Sequence, residues 1–281
     1  MRTEGGGAPG AQTVTADWVA RQVDERDTGR DARIEMRMRL FDRHGRVRER
    51  ALTLLALRSS ASSGQVASTG SGRAPSTSSA PGRVQSAGAA AGDRVLVRFT
   101  YPNDIKGTSF LVWETPAGED ERFLYLPALG RVRRIAASES QESFVGTDFT
   151  YEDIGGRELE DYTYRLMAEI GSWTDPSGRA HAVYQLESRA NDRDAIYPRV
   201  VSLVRRDNFV VVRAEVHNRR GERQKTYEVR RLERIEGVWT VMDAVMADGL
   251  QKTRTELAVT SADYNVGLKE SDFSRRALER P

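Results

Sequence analysis

The chain contains no cysteine. That excludes disulfides, thiolate metal sites, a cysteine nucleophile and a lipid-modified N-terminal cysteine, and it leaves cytoplasm and periplasm both open. Histidine is scarce: His44, His181 and His217 stand in or beside predicted turns, too scattered to suggest a metal site or a Ser-His-Asp arrangement, and are expected to be solvated. No run approaches the roughly 18 apolar residues of a membrane-spanning helix. No charged-then-apolar stretch opens the chain as a secretory signal would. An excess of one charge is missing too, since 43 Lys and Arg face 41 Asp and Glu for a net charge of +2. Such a balance makes no case for nucleic acid. The basic stretch 217–234 is interleaved with Glu222, Glu228 and Glu233, which on a hairpin makes cross-strand charge pairs on a solvated face. Gly5-Gly6-Gly7 and Gly155-Gly156 lack the strand–helix setting and the lysine of a phosphate-binding loop. No pair of carboxylates stands out for acid–base work. The expectation is a protein that is not an enzyme, with no metal and no cofactor.

What is present is alternation. After a Gly-rich lead over residues 1–14, expected to be disordered, Thr15 is a plausible N-cap, and Ala16, Val19, Ala20 and Val23 fall at helical spacing in a short helix ending near Gly29. The period then drops to two: Ile34, Met36, Met38 and Leu40 alternate with Arg33, Glu35, Arg37 and Arg39. The turn His44-Gly45-Arg46 leads to a second strand over 48–58. Residues 59–92 hold 10 Ser, 8 Ala and 6 Gly with no aromatic residue, Leu or Ile, and cannot bury enough to offset their ordering entropy. They read as a disordered insertion between neighbouring strands, because strands resume at once over 94–101, 107–114 and 121–127. Later strands are expected over 161–170, 181–188, 208–216 and 224–235, with a helical turn around 147–154. The segment 197–205 reads as a turn of helix or a strand. Many short strands and few helices indicate a curved all-β sheet, so residues 15–281 are expected to form one domain.

Three ordered blocks between residues 101 and 154 are more specific. The first runs through Pro102, Asp104, Ile105, Lys106 and Gly107; the second through Tyr125, Leu126, Pro127, Arg131, Arg133, Arg134 and Ile135; the third through Phe144, Gly146, Asp148, Phe149, Glu152 and Asp153. In these blocks the chain resembles the outer-membrane lipoprotein-sorting protein family, the LolA-like proteins related to the lipoprotein carriers LolA and LolB. The likeness extends more loosely over the rest of the chain, and the 59–92 insertion falls outside the family pattern.

The resemblance implies a mainly β fold: an incomplete, unclosed antiparallel β-barrel with an N-terminal helix and short helical lid segments around a hydrophobic cavity. It implies a periplasmic carrier, monomeric, that shields a lipid, lipoprotein acyl chains or another hydrophobic molecule. An inner-membrane transporter of the resistance-nodulation-division type, or a lipoprotein-releasing complex, is an implied partner. A sensor acting through protein contact, as in RseB, is the other implied use. Met36, Met38, Leu40, Leu54, Val97, Phe99, Phe110, Val112, Phe123 and Tyr125 are the candidate cavity wall, with ordinary core packing as the other reading of each. Arg133, Arg134, Asp148 and Asp153 have two readings as well: a half-buried network pinning the loop 136–150 over the barrel mouth, or a site for a lipid phosphate.

Overall fold

The computed structural model describes residues 14–58, 93–115, 120–156, 159–167, 171–195 and 197–280. Residues 1–13 and the insertion 59–92 lie outside them. The first element, α1 (Ala16–Glu25), is capped by Thr15, whose hydroxyl accepts the Trp18 N–H at 3.2 Å, with Asp17 facing the positive end of the helix dipole. It stops four residues before Gly29, because the Asp27 carboxylate takes the Gly29 N–H at 2.9 Å and closes an Asx turn.

Fourteen strands follow: β1 (Asp31–Phe41), β2 (Val47–Leu57), β3 (Arg94–Tyr101), β4 (Ser109–Trp113), β5 (Glu121–Leu126), β6 (Arg131–Ile135), β7 (Tyr162–Leu166), β8 (Gly171–Thr174), β9 (Ala180–Ala190), β10 (Arg199–Arg205), β11 (Val211–His217), β12 (Arg223–Ile235), β13 (Val238–Asp248) and β14 (Thr253–Tyr264). Two short helices complete the set, α2 (Tyr151–Gly155) and α3 (Arg275–Leu278). The segment 197–205 is resolved in favour of a strand.

All pairings are antiparallel, in the order β6-β5-β4-β3-β2-β1-β14-β13-β12-β11-β10-β9-β7, with β8 also on β9. The sheet is not closed: β6 and β7 end it. Two meanders, β1–β6 and β9–β14, are joined where β1 pairs with β14, Ala32 opposite Tyr264 and Phe41 opposite Arg254. β2 and β3, on either side of residues 59–92, pair directly with Leu57 opposite Arg94. The side chains that β1 turns inward, Ile34, Met36, Met38 and Leu40, join one core with the inward residues of β2–β4 and β9–β14. α1 covers part of it, with Trp18 edge-on to Phe209 at 5.5 Å between ring centres and to Tyr184 at 6.4 Å.

The outer face of β3–β5 carries a second, smaller apolar cluster, Leu96, Leu111 and Phe123, closed by Phe273, Ala277 and Leu278 of the C-terminal segment. The Trp113 indole donates to the Phe273 carbonyl at 2.6 Å, and Arg98 donates to the carbonyl of Ala277.

Near the β7 edge of the sheet, Glu187 on β9 has its carboxylate only 2% exposed, yet it meets Arg199 at 2.7 Å, Arg165 at 3.0 Å and Arg189 at 3.1 Å. Burial alone would raise its pKa; the hydrogen bonds from Arg199 and Arg189 outweigh burial and hold it down to about 2, from an ordinary value of 4.5. A depressed carboxylate stabilises the fold at every pH above its unfolded value and loses that contribution as pH falls through the folded one. Glu187→Gln is therefore expected to lower the melting temperature at neutral pH and to flatten its decline between about pH 4.5 and 2. Circular-dichroism melts across that range would show it, and parallel curves for the two proteins would contradict it.

Candidate functional site

The concave wall is built by strand parity. Met36, Met38 and Leu40 on β1, Leu54 on β2, Val97 and Phe99 on β3, and Phe110 and Val112 on β4 share the main core, each at most 4% exposed. Register aligns them across the sheet: Met36 opposite Leu52, Leu54 opposite Val97, Val97 opposite Phe110. Phe123 and Tyr125 depart from the expected lining. Leu124 is the inward residue of β5, opposite Phe110, so its neighbours Phe123 and Tyr125 point to the outer face. There Phe123 meets Trp113 at 5.3 Å between ring centres and lies 4.3 Å beneath the Arg275 guanidinium. Both faces of this strand carry large apolar groups, so alternation alone did not reveal which one looks inward.

The wall is covered by residues 140–155, a lid that folds on its own local contacts. Phe144 N–H donates to the Phe149 carbonyl at 2.8 Å, the Ser143 hydroxyl donates to the Thr147 carbonyl at 2.6 Å, and Ser143 and Thr150 form a single antiparallel bridge. A reciprocal capping box starts α2: the Thr150 hydroxyl accepts the Asp153 N–H at 3.0 Å, and the Asp153 carboxylate accepts the Thr150 N–H at 2.9 Å. The tight turn puts Val145 and Gly146 at φ 48° and 75°. It also presents the Val145 carbonyl to Arg50, whose guanidinium stands 5.7 Å from the Phe99 ring centre. Phe144, Phe149, Tyr151 and Ile154 are buried in the main core. Phe144 lies 5.7 Å from Phe99 and 5.5 Å from Phe110, and Tyr151 lies 5.1 Å from Phe110. The lid's own rings thus pack directly on the aromatic side chains of the wall.

A polar network fastens the lid to the opposite meander. Asp148 accepts hydrogen bonds from the Thr253 hydroxyl and, at 2.7 Å, from the Thr255 hydroxyl, while its N–H donates to Thr255 at 3.0 Å. The buried Lys225 ammonium donates to the Asp148 carbonyl at 2.6 Å and to the Tyr197 hydroxyl at 3.0 Å, and that hydroxyl donates to Asp153 at 3.2 Å. Of the four charges expected in such a network, Asp148 and Asp153 belong to it. The two arginines do not. Arg133 pairs with Glu139 at 2.9 Å, and Arg134 is exposed with no ion-pair partner among the described residues. The reason is topological: both arginines lie on the edge strand β6, whereas Asp148 meets β12 and β14 and Asp153 meets Tyr197 just before β10. Lys225, Tyr197, Thr253 and Thr255 were not anticipated. A lysine two positions from Tyr227 and four from Val229, both inward on β12, was the available sign.

The other family-pattern residues serve the turns. Gly107 has φ 82°, and a Cβ there would stand 3.1 Å from Pro127 Cγ, so the first and second blocks touch where only glycine fits. Pro127 opens a 3₁₀ turn closed by Gly130. Leu126 packs against the main core, and Lys106 is exposed.

Two recesses lie beside the wall. One of about 390 Å³ at the lid is lined by Leu40, Asp148, Lys225, Asp248 and Thr253 among others. Another of about 770 Å³ runs along the charged outer side of β1, β2 and β12–β14, past Arg37, Arg39, Glu49, Asp243 and Glu256, and touches Met38. Among the described residues no group of three metal-ligating side chains occurs. His44 is exposed as expected, but the other two histidines are half-buried. His181 sits 2.9 Å from Asp175 and packs on Trp173, and His217 lies 3.1 Å from Arg199. Burial and the neighbouring Arg199 charge push the His217 pKa down.

Comparison with known proteins agrees with this architecture. No curated protein matches the chain by sequence. A DUF1329 family protein from Desulfovibrio piger is 25% identical, with a TM-score of 0.75 over 94% of this chain and 97% of its own. A solved domain from Vibrio parahaemolyticus named for outer-membrane lipoprotein sorting has the same identity and TM-score over 94% and 98%. A LolA superfamily protein from Nitrosomonas europaea, 18% identical, shares the fold with a TM-score of 0.65 over 94% and 100%. A family model described as "-like: Uncharacterized protein" matches residues 91–280. The chain thus belongs to the family of that model, and it shares the LolA-like fold, an open antiparallel barrel, with these structures.

Proposed function

We propose that this protein is a periplasmic carrier whose concave wall takes up a lipid, a lipoprotein's acyl chains or a similar hydrophobic molecule when the lid lifts. The observation that carries the reading is the cover itself. The apolar wall around Phe99 and Phe110 is closed by a short segment that brings its own rings, Phe144 and Tyr151, and is fastened by side-chain hydrogen bonds. An acyl chain entering the wall would take over the apolar contacts those rings make with Phe99 and Phe110. About ten buried methylenes contribute ~8 kcal/mol. The four hydrogen bonds by which Lys225, Thr253, Thr255 and Tyr197 hold Asp148 and Asp153 contribute ~1.5–3 kcal/mol each where a charged group takes part. The lipoprotein-sorting neighbour supports the cargo class and the envelope location, and a membrane-embedded donor or acceptor would complete the route.

Two outcomes follow from the lid. Asp148→Ala is expected to lower stability by ~1–3 kcal/mol, Arg134→Ala to stay within ~0.5 kcal/mol of the parent, and the two effects to add. Chemical denaturation of the three variants measures this, and a coupling above ~0.5 kcal/mol between the two positions would restore Arg134 to the network. For the cargo, delipidated protein is expected to bind fluorescent fatty-acid or phospholipid probes, and Asp148→Ala to exchange them faster than the parent in stopped-flow displacement. Absence of probe binding, together with absence of copurified lipid by mass spectrometry, would defeat the carrier reading.

A further inference from the structure

The lid end of the barrel carries a pattern that neither the wall nor the lid explains. Antiparallel order places the connections β5–β6, β3–β4, β1–β2, β13–β14 and β11–β12 side by side along this one rim. The first four each expose a large apolar side chain: Leu129 (57% exposed), Tyr101 (53%), Val47 (43%) and Leu250 (53%). Only two other large apolar side chains among the described residues are so exposed, Val14 and Val266, and Val266 follows the far end of β14. Each rim residue also has a cation close by in sequence. Val47 lies between Arg46 and Arg48, Leu129 precedes Arg131 by two, Leu250 precedes Lys252 by two, and Tyr101 shares its connection with Lys106.

The charge of the rim differs from that of the chain. Segments 42–48, 101–107, 127–131, 218–223 and 249–252 hold nine Lys and Arg against three Asp and Glu, in a protein whose whole-chain net charge is +2. Of the acids, Asp42 is tied to Arg46 at 2.6 Å and Glu222 to Asn218 at 2.9 Å. At the opposite end, segments 26–30, 206–210 and 236–237 carry three of each sign. The lid adds Glu142, Asp148, Glu152 and Asp153, of which the two aspartates are tied into the network around Lys225, and it is preceded by Arg133, Arg134 and Glu139, which leaves the rim positive. The patch stops at the sixth connection, 191–195, where Asp192 and Asp194 appear and Arg219 pairs with Asp194 at 3.3 Å.

We infer that this rim docks on the surface of an anionic lipid bilayer, with Val47, Tyr101, Leu129 and Leu250 entering the headgroup region and the basic side chains meeting lipid phosphates. Isolated exposed apolar residues need no explanation. Four on adjacent turns of one edge, each beside a cation, combine the two forces that hold a protein at such an interface: apolar insertion and attraction to anionic headgroups. An aromatic with a hydroxyl, such as Tyr101, suits the boundary between acyl chain and water. A protein partner would bury the same tips. The spread of the cations over five connections fits an extended negative surface better than a compact acidic site. The inference concerns the rim alone and holds whether or not the wall carries cargo.

The test uses the full chain and empty vesicles. The absence of cysteine allows a single environment-sensitive fluorophore at Leu250→Cys or, on the opposite end, at Val266→Cys. With vesicles of phosphatidylglycerol and phosphatidylethanolamine, the label at 250 is expected to shift to the blue and the label at 266 to stay unchanged. Vesicles of phosphatidylcholine alone should shift neither. In co-sedimentation, the triple variant Tyr101→Ser, Leu129→Ser, Leu250→Ser and the triple variant Arg48→Glu, Lys106→Glu, Arg220→Glu should each lose about tenfold or more in partitioning. Their far-ultraviolet spectra and melting temperatures should match the parent's, since all six side chains are exposed. Failure to bind anionic vesicles, equal shifts at 250 and 266, or unaltered partitioning of either triple variant would overturn the inference.

Discussion

A buried ammonium is among the most demanding groups a β-sheet can carry, and Lys225 carries one at an inward position of β12 where the neighbouring inward residues are Tyr227 and Val229. It cannot be left without oxygen partners, because an unpaired buried charge costs several kcal/mol. Its partners come from two places far apart in sequence: the Asp148 carbonyl in the lid and the Tyr197 hydroxyl just before β10. Through Tyr197 the chain of bonds reaches Asp153, and through Asp148 it reaches Thr253 and Thr255 on β14. The lid, the capping box of α2 and three segments of the second meander are thereby held in one arrangement. With the lid so placed, Phe144 and Tyr151 come to rest on Phe99 and Phe110, and the first meander is covered.

Much of the sheet was legible from periodicity. β1, β2, β3, β9, β11 and β12 follow segments where alternation or β-branched runs are plain, whereas β10 stayed open between a turn of helix and a strand, and the LolA-like blocks pointed to a covering loop over 136–150. β13 was not legible, because VWTVMDAVMAD is buried on both faces and shows no period of two. The same cause hid the orientation of Phe123 and Tyr125, since an outer cluster under α3 makes β5 apolar on either side. Charge pairing fared differently. That lid carboxylates need partners follows from burial, but which cations or hydroxyls supply them depends on the fold of the sheet, and Arg134, nearby in sequence, lies on the wrong edge.

The two apolar faces are served unequally. The inner wall is shared by both meanders and closed by a lid that brings its own aromatic rings. The outer cluster is closed by the last dozen residues: α3 and the turn before it sit on β3–β5 through Trp113, Arg98 and the pair Arg94–Glu270 at 3.2 Å. Arg275 adds a cation over the Phe123 ring. Both covers thus lie on the strands of the first meander, while the second contributes most of the bonds that anchor the lid.

The seam between β1 and β14 has a consequence in time. Ala32 faces Tyr264 across it, a separation of more than two hundred residues, and it is the step that turns two local meanders into one curved wall. Hairpin contacts within each meander can form as soon as their strands exist, but this pairing must wait for nearly the whole chain to be synthesised. Long-range pairing of this kind slows folding. The apolar side of β1 is therefore left without its eventual neighbour for most of the chain's birth, and an early-emerging strand with Ile34, Met36, Met38 and Leu40 on one side is the segment most in need of protection from premature association during that interval.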